Sequence, residues 1–198
     1  MNNIQSPFSK IIHETASKHY NVADEYKHNT VDQNKDVCKM DRLPYAIGAL
    51  SITGDLNIGI MIRTSVLLGA SDFFIFGRKK YDKRSTVGAQ NYINIHNYDS
   101  SILSINEVIE SFGYNPVLIE QGGTSLPLSR NEWHDMVKKP LFLFGSESHG
   151  IPNDITTELF NNGAPILSIP QHGVLRSYNV STAMSIISWE YRRNFYAY

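Results

Sequence analysis

Five short apolar runs, each bounded by glycine, proline or a polar turn, constrain this chain more than any other feature. They are Tyr45-Ala-Ile-Gly-Ala-Leu50, Phe73-Phe-Ile-Phe76, Pro116-Val-Leu-Ile119, Leu141-Phe-Leu-Phe144 and Pro165-Ile-Leu-Ser-Ile169. None shows the in–out alternation of a strand with one wet face, so each reads as a strand buried on both sides. Between them lie stretches with apolar residues at helical spacing: Ile58, Met61, Ile62 and Val66, then Ile102 to Phe112, Ile155 to Phe160, and Val180, Ala183, Met184, Ile187 and Tyr191. Strands alternating with helices predict an α/β domain, a mostly parallel sheet flanked by helices.

The boundaries carry local expectations. Gly77 to Gln90 reads as one long polar loop, and Gly122-Gly123 as the stop of the third strand. Asp55 or Asn57 is expected to cap the helix after Thr53-Gly54, and Ser177 or Asn179 the last helix, because a helix's first amides need an acceptor. Residues 1–42 differ in texture: polar and charged, with Ile11 and Ile12 able to start only a short helix. They read as a partly helical or flexible extension, and residues 43–198 as the domain.

Composition excludes several classes. No apolar run approaches the roughly 20 residues a membrane helix needs, and Met-Asn-Asn-Ile-Gln-Ser-Pro-Phe at the start has no signal-peptide pattern. The one cysteine, Cys38, allows no intrachain disulfide and suits a reducing cytoplasm. A net charge of −1 means that any attraction for nucleic acid is local. The best local patch is Arg78, Lys79, Lys80, Lys83 and Arg84, five cations in seven residues; such a run is most often a solvated loop, yet here it is the strongest phosphate-binding candidate. No G-x-x-x-x-G-K-[ST] or G-x-G-x-x-G is present, and the seven histidines show no metal-ligand spacing. Ser146, Glu147, Ser148 and His149 are adjacent, but the G-x-S-x-G elbow of a hydrolase is absent.

What remains are three polar segments, each just beyond a strand: Asp55-Leu-Asn57-Ile-Gly59 with Arg63, Gly145-Ser-Glu147 with Gly150, and Ile169-Pro170 with Arg176, Ser177 and Asn179. In open α/β sheets ligands bind beyond the strands' carboxyl ends. In order and spacing, across about residues 43–193, the three resemble the motifs of the TrmH/SpoU branch of the SPOUT RNA methyltransferases. The likeness is closest to the group that methylates a guanosine ribose in the D-loop of tRNA, through Gly88-Ala-Gln90, Leu118-Ile-Glu120-Gln121 and Trp189-Glu190-Tyr. Tyr178 departs from it, standing where Leu or Met is usual.

The resemblance implies a C-terminal deep trefoil knot, S-adenosyl-L-methionine as cofactor, an RNA substrate and a homodimer in which one subunit completes the other's site. It implies Arg63 as the catalytic arginine, with Asn57, Ser177 and Asn179 positioning ribose, phosphate and Arg63, and Glu147 orienting its loop. Ile119, Gly145, Ile169 and Ser177 or Tyr178 would hold the cofactor, largely through backbone groups. A guanidinium stays protonated in proteins, so Arg63 is expected to bind phosphate and stabilise oxyanion character rather than act as a base. Methylation of ribosomal RNA, and an RNA-binding protein without catalysis, are the alternative expectations.

Overall fold

A computed structural model describes residues 21–78, 80–126 and 130–195; Lys79 and the Ile11-Ile12 segment lie outside them. The chain runs α1 (Val31–Met40), β1 (Leu43–Leu50), α2 (Asp55–Leu67), β2 (Ala70–Phe76), α3 (Lys83–Thr86), β3 (Asn94–Tyr98) and α4 (Ile102–Phe112). It continues through β4 (Asn115–Ser125), α5 (Arg130–Met136), β5 (Pro140–Phe144), α6 (Asn153–Asn161) and β6 (Ile166–Ser168) to α7 (Val180–Phe195). The six strands form one sheet in the order β3-β2-β1-β5-β4-β6, every neighbour pair parallel.

β1 shows why the apolar runs lack alternation. Tyr45, Ile47 and Ala49 join the core beneath α2, α5 and α7, with Met61, Trp133, Met184 and Tyr191. Ala46 and Leu50 point the other way, into a second core with Ile105 and Val108 of α4 and Ile155 and Leu159 of α6. Both faces are dry, as expected for a parallel sheet covered on each side.

Three local expectations are corrected, and two elements, β3 and α5, were unforeseen. The polar stretch after Gly77 is not one loop: α3 lies within it, a 3-10 turn follows at Ala89–Asn91, and then comes the unforeseen strand β3. β3 (Asn94-Ile-His-Asn-Tyr98) is polar because it is the sheet edge. Gly122-Gly123 does not stop β4, which continues to Ser125 through a shift in its pairing with β6. A Cβ on Gly123 would stand 2.5 Å from the Ile166 carbonyl oxygen, so glycine there permits strand approach. α2 has Gly54 as N-cap with no side-chain cap, Asp55 and Asn57 being used elsewhere. α5, built around the buried Trp133, was also unforeseen.

Candidate active site

The middle of β4 and the ends of β5 and β6 border one cleft, lined among others by Ile119, Glu120, Gln121, Gly145, Glu147, Ile169, Ser177 and Tyr178. The structure thus brings all five residues expected to hold a cofactor, Ile119, Gly145, Ile169, Ser177 and Tyr178, to one place, with Glu147 and Arg176 on the same walls. Tyr178 is half-exposed, and its hydroxyl donates to the Pro170 carbonyl at 3.3 Å.

Packing decides the residue types of the second segment. Beyond β5 the chain doubles back through a bridge between Ser146 and Gly150, with backbone hydrogen bonds of 3.1 and 2.8 Å. A Cβ on Gly145 would fall 2.1 Å from the Gly150 carbonyl carbon, so only glycine fits this close approach.

Two residues that the sequence reading did not assign to the site hold its loops together. The Glu120 carboxylate accepts the Ile151 N–H at 3.0 Å and the Gln121 N–H at 3.1 Å, pinning the 145–151 loop to the middle of β4. The Gln121 side-chain amide donates to the Arg176 carbonyl, pinning the 171–179 loop to the same point. Their signal was positional: they follow the apolar run of β4 as Gly145 follows that of β5.

Three of the five expected catalytic residues meet. Asn179 Oδ1 accepts the N–H groups of Ser181 and Thr182 at 3.0 and 3.4 Å and the Ser181 hydroxyl at 2.6 Å, so Asn179, rather than Ser177, caps α7. Asn179 Nδ2 donates to Asn57 Oδ1 at 3.1 Å, and Asn57 Nδ2 donates to Glu147 Oε1. Ser177 stands nearby in the cleft wall. Arg63 is not with them. Six residues past Asn57, it lies about 9 Å along α2 and about 240° around the helix. It is exposed, forms no hydrogen bond or ion pair among the described residues, and faces a second cavity bounded by residues 21–38.

The basic run is partly neutralised. Arg84 Nε and Nη2 both reach the Asp82 carboxylate, which caps α3 through the Arg84 N–H; this holds the Asp82 carboxyl below its usual range. Arg78 and Lys80 face Asp55 at 3.7 and 3.9 Å, whose Oδ1 is buried without a hydrogen bond. At these lengths, and with both cations exposed, the pairs contribute little. Lys83 is exposed and unpaired among the described residues.

A wholly parallel α/β sheet with a polar cleft over adjacent strand ends defines a ligand-binding domain of the open-sheet class. Comparison narrows it further: residues 45–189 match the model of the SpoU rRNA Methylase family, and the chain belongs to that family. It is 26% identical over 136 residues to a tRNA (guanosine(18)-2′-O)-methyltransferase of Borreliella burgdorferi, covering 67% of this chain and 59% of that one. It is also 26% identical over 142 residues to the Mus musculus enzyme of the same name, covering 69% of this chain but 8% of that one. The chain therefore spans less than two thirds of these relatives' lengths. Among solved structures, the AdoMet-bound rRNA methyltransferase of Sinorhizobium meliloti superposes with a TM-score of 0.60 at 25% identity, over 77% of this chain and 57% of that one.

Proposed function

We propose that this chain is an S-adenosyl-L-methionine-dependent RNA 2′-O-ribose methyltransferase acting on a D-loop guanosine of tRNA. The observation that carries it is the junction of three segments distant in sequence, through Asn57, Glu147 and Asn179, at the rim of a cleft built from glycine-rich strand ends. The family match and the tRNA methyltransferase relatives support the class and the substrate.

The cleft suits a nucleoside cofactor: Ile119, Ile169, Val180 and Ala183 offer apolar contact, and the loops around Gly145 and Ser177 offer backbone groups at close range. When bound, S-adenosyl-L-methionine would supply an electrophilic methyl group to the ribose 2′-oxygen and leave as S-adenosylhomocysteine, the hydroxyl proton passing to the neighbouring phosphate or to water. Within the chain, Ile119, Gly145, Ile169, Ser177 and Tyr178 hold the cofactor. Asn57 and Asn179 fix the geometry around the ribose, and Glu147 holds its loop against Asn57. Arg63 binds the neighbouring phosphate and stabilises the developing oxyanion.

Because Arg63 points away from the cleft of its own subunit, we take the working enzyme to be a homodimer in which a second copy brings Arg63 to each cleft. The C-terminal trefoil knot, a cytoplasmic setting, and the division into a 1–42 extension and a 43–198 domain belong to the same reading. Arg78, Lys79, Lys80, Lys83, Arg84 and Arg176 supply RNA contacts, with Asp55 and Asp82 giving up their cations to phosphate.

The test is incubation with labelled S-adenosyl-L-methionine and unmodified bulk tRNA, followed by nucleoside mapping. A 2′-O-methylguanosine in the D-loop is the expected product. Label only in ribosomal RNA would transfer the reading to that substrate, which the family's description and the S. meliloti structure favour as second choice. No label in either RNA would leave the non-catalytic reading.

A further inference from the structure

The second cavity, about 300 Å³, lies on the far face of α2 from Asn57. Its walls are Tyr26, Val37 and Cys38 from residues 21–38, Arg63 and Val66 from α2, and Tyr92 after α3. We propose that this cavity is the subsite for the base of the nucleotide that is methylated, which rests on the function proposed above.

Three observations combine. The lining is mostly apolar with two tyrosine rings, a surface on which a flat base can stack. Arg63 on its wall carries a charge with no partner among the described residues. An uncharged apolar ligand would leave that guanidinium unused, and a free anion would leave the apolar walls unused; a base joined through its sugar to a phosphate uses both. Finally, Val87 at the mouth is β-branched yet sits at φ 50°, in the left-handed region, where backbone strain is tolerated when the surroundings enforce it. The preceding Thr86 is buried and its hydroxyl donates to the Lys83 carbonyl at 2.8 Å, which helps to hold that turn.

The geometry joins the two readings. A ribose whose phosphate is gripped by Arg63 has its base within one sugar's length of the same side chain, next to this cavity. Tyr26, Val37 and Cys38 lie outside the 45–189 family match, so this wall belongs to the chain's own extension. The extension would then help to choose which nucleotide is methylated. Extruding a base into such a pocket costs unstacking energy, which stacking on the tyrosines offsets.

Cys38, the chain's single cysteine, reports on the pocket directly. The full-length protein is alkylated with iodoacetamide in the presence of S-adenosylhomocysteine, alone, with tRNA, and with the same tRNA made abasic at the mapped nucleotide. Intact tRNA is expected to slow alkylation several-fold and abasic tRNA to leave it nearly unchanged. Tyr26→Ala and Tyr92→Ala should raise KM for tRNA about five- to a hundredfold, the effect of losing one base–aromatic stack, while S-adenosylhomocysteine affinity stays the same. Equal alkylation with and without tRNA, or equal protection by the abasic form, overturns the subsite, whatever else fills the cavity. Active enzyme with an open Cys38 removes the subsite alone; absence of any methylation removes the function and the subsite together.

Discussion

The Asn57 side-chain amide joins Glu147 to Asn179: it donates to the carboxylate 90 residues downstream and accepts from the amide 122 residues downstream. One short polar side chain thus sets the distance between three segments that each follow a different strand. An amide suits the post because it donates and accepts at once. Asn57→Ala should leave the far-ultraviolet spectrum unchanged and reduce methylation about a hundredfold, the scale of a 1 Å misplacement of reacting groups. Asn57→Asp should be nearly as damaging, since a carboxylate cannot donate to Glu147 and adds a like charge beside it. Turnover within a factor of two of the parent in either variant would remove this joint from the mechanism.

Glu120 should govern cofactor affinity without touching RNA. Its carboxylate holds the Ile151 N–H, and a Cβ on Gly150 would stand only 2.4 Å from its Oε2, so loop and carboxylate are fitted to each other. Glu120→Ala leaves the Ile151 N–H without its acceptor, a loss of about 1–3 kcal/mol. Calorimetric titration with S-adenosylhomocysteine should show affinity weakened about tenfold or more, with tRNA affinity unchanged. Equal cofactor affinity in the variant would show that the loop holds its shape without the carboxylate.

The contrast between what the sequence revealed and what it concealed follows burial. Strands β1, β2, β4 and β5 were legible because a parallel strand covered on both faces must be apolar throughout, and Phe73-Phe-Ile-Phe76 has no other simple reading. β3 was hidden because an edge strand needs no such composition. α5 was hidden because, among its described residues, Trp133 alone is fully buried. Among the cleft-lining residues, Gly145 and Ile169 were legible because each directly follows the apolar run of a strand. The separation of Arg63 from Asn57 needed the helix itself: six residues look adjacent in sequence but stand about 9 Å and about a third of a turn apart on α2.

Gly59 shows packing written as a missing atom. A Cβ there would lie 1.7 Å from Ser85 Oγ and 2.7 Å from the Asp82 carbonyl oxygen, where α2 meets α3. Gly59→Ala should destabilise the fold by about 1–3 kcal/mol through overpacking, despite alanine's better helix propensity. Adding Ser85→Ala should recover only part of this, because the backbone oxygen remains in the way. Urea denaturation of the two variants measures both; full recovery in the double variant would show that the Ser85 side chain was the only obstacle.

Asp72 ties the sheet edge together from the end opposite the cleft. Its carboxylate accepts from the Tyr114 hydroxyl at 2.6 Å, contacts His96 Nε2 at 2.9 Å and accepts from Asn94 at 3.3 Å. Burial acts to raise its pKa, but the hydrogen bonds from Tyr114, His96 and Asn94 outweigh burial and hold it below the usual carboxylate range. The same contact and burial push the Tyr114 hydroxyl up, keeping it a donor at any ordinary pH. A group with a depressed folded pKa contributes stability that is present above its unfolded pKa and is lost as pH falls through its folded one. Asp72→Asn should therefore be less stable than the parent at neutral pH by about 1–3 kcal/mol, the scale of hydrogen bonds to a charged acceptor. The gap should narrow as pH drops below about 4, the usual aspartate value, because the parent then loses the charge the variant never had. Urea midpoints measured from pH 7 down to the acid limit of folding decide it: a gap that stays constant would mean that Asp72 contributes shape there and not charge.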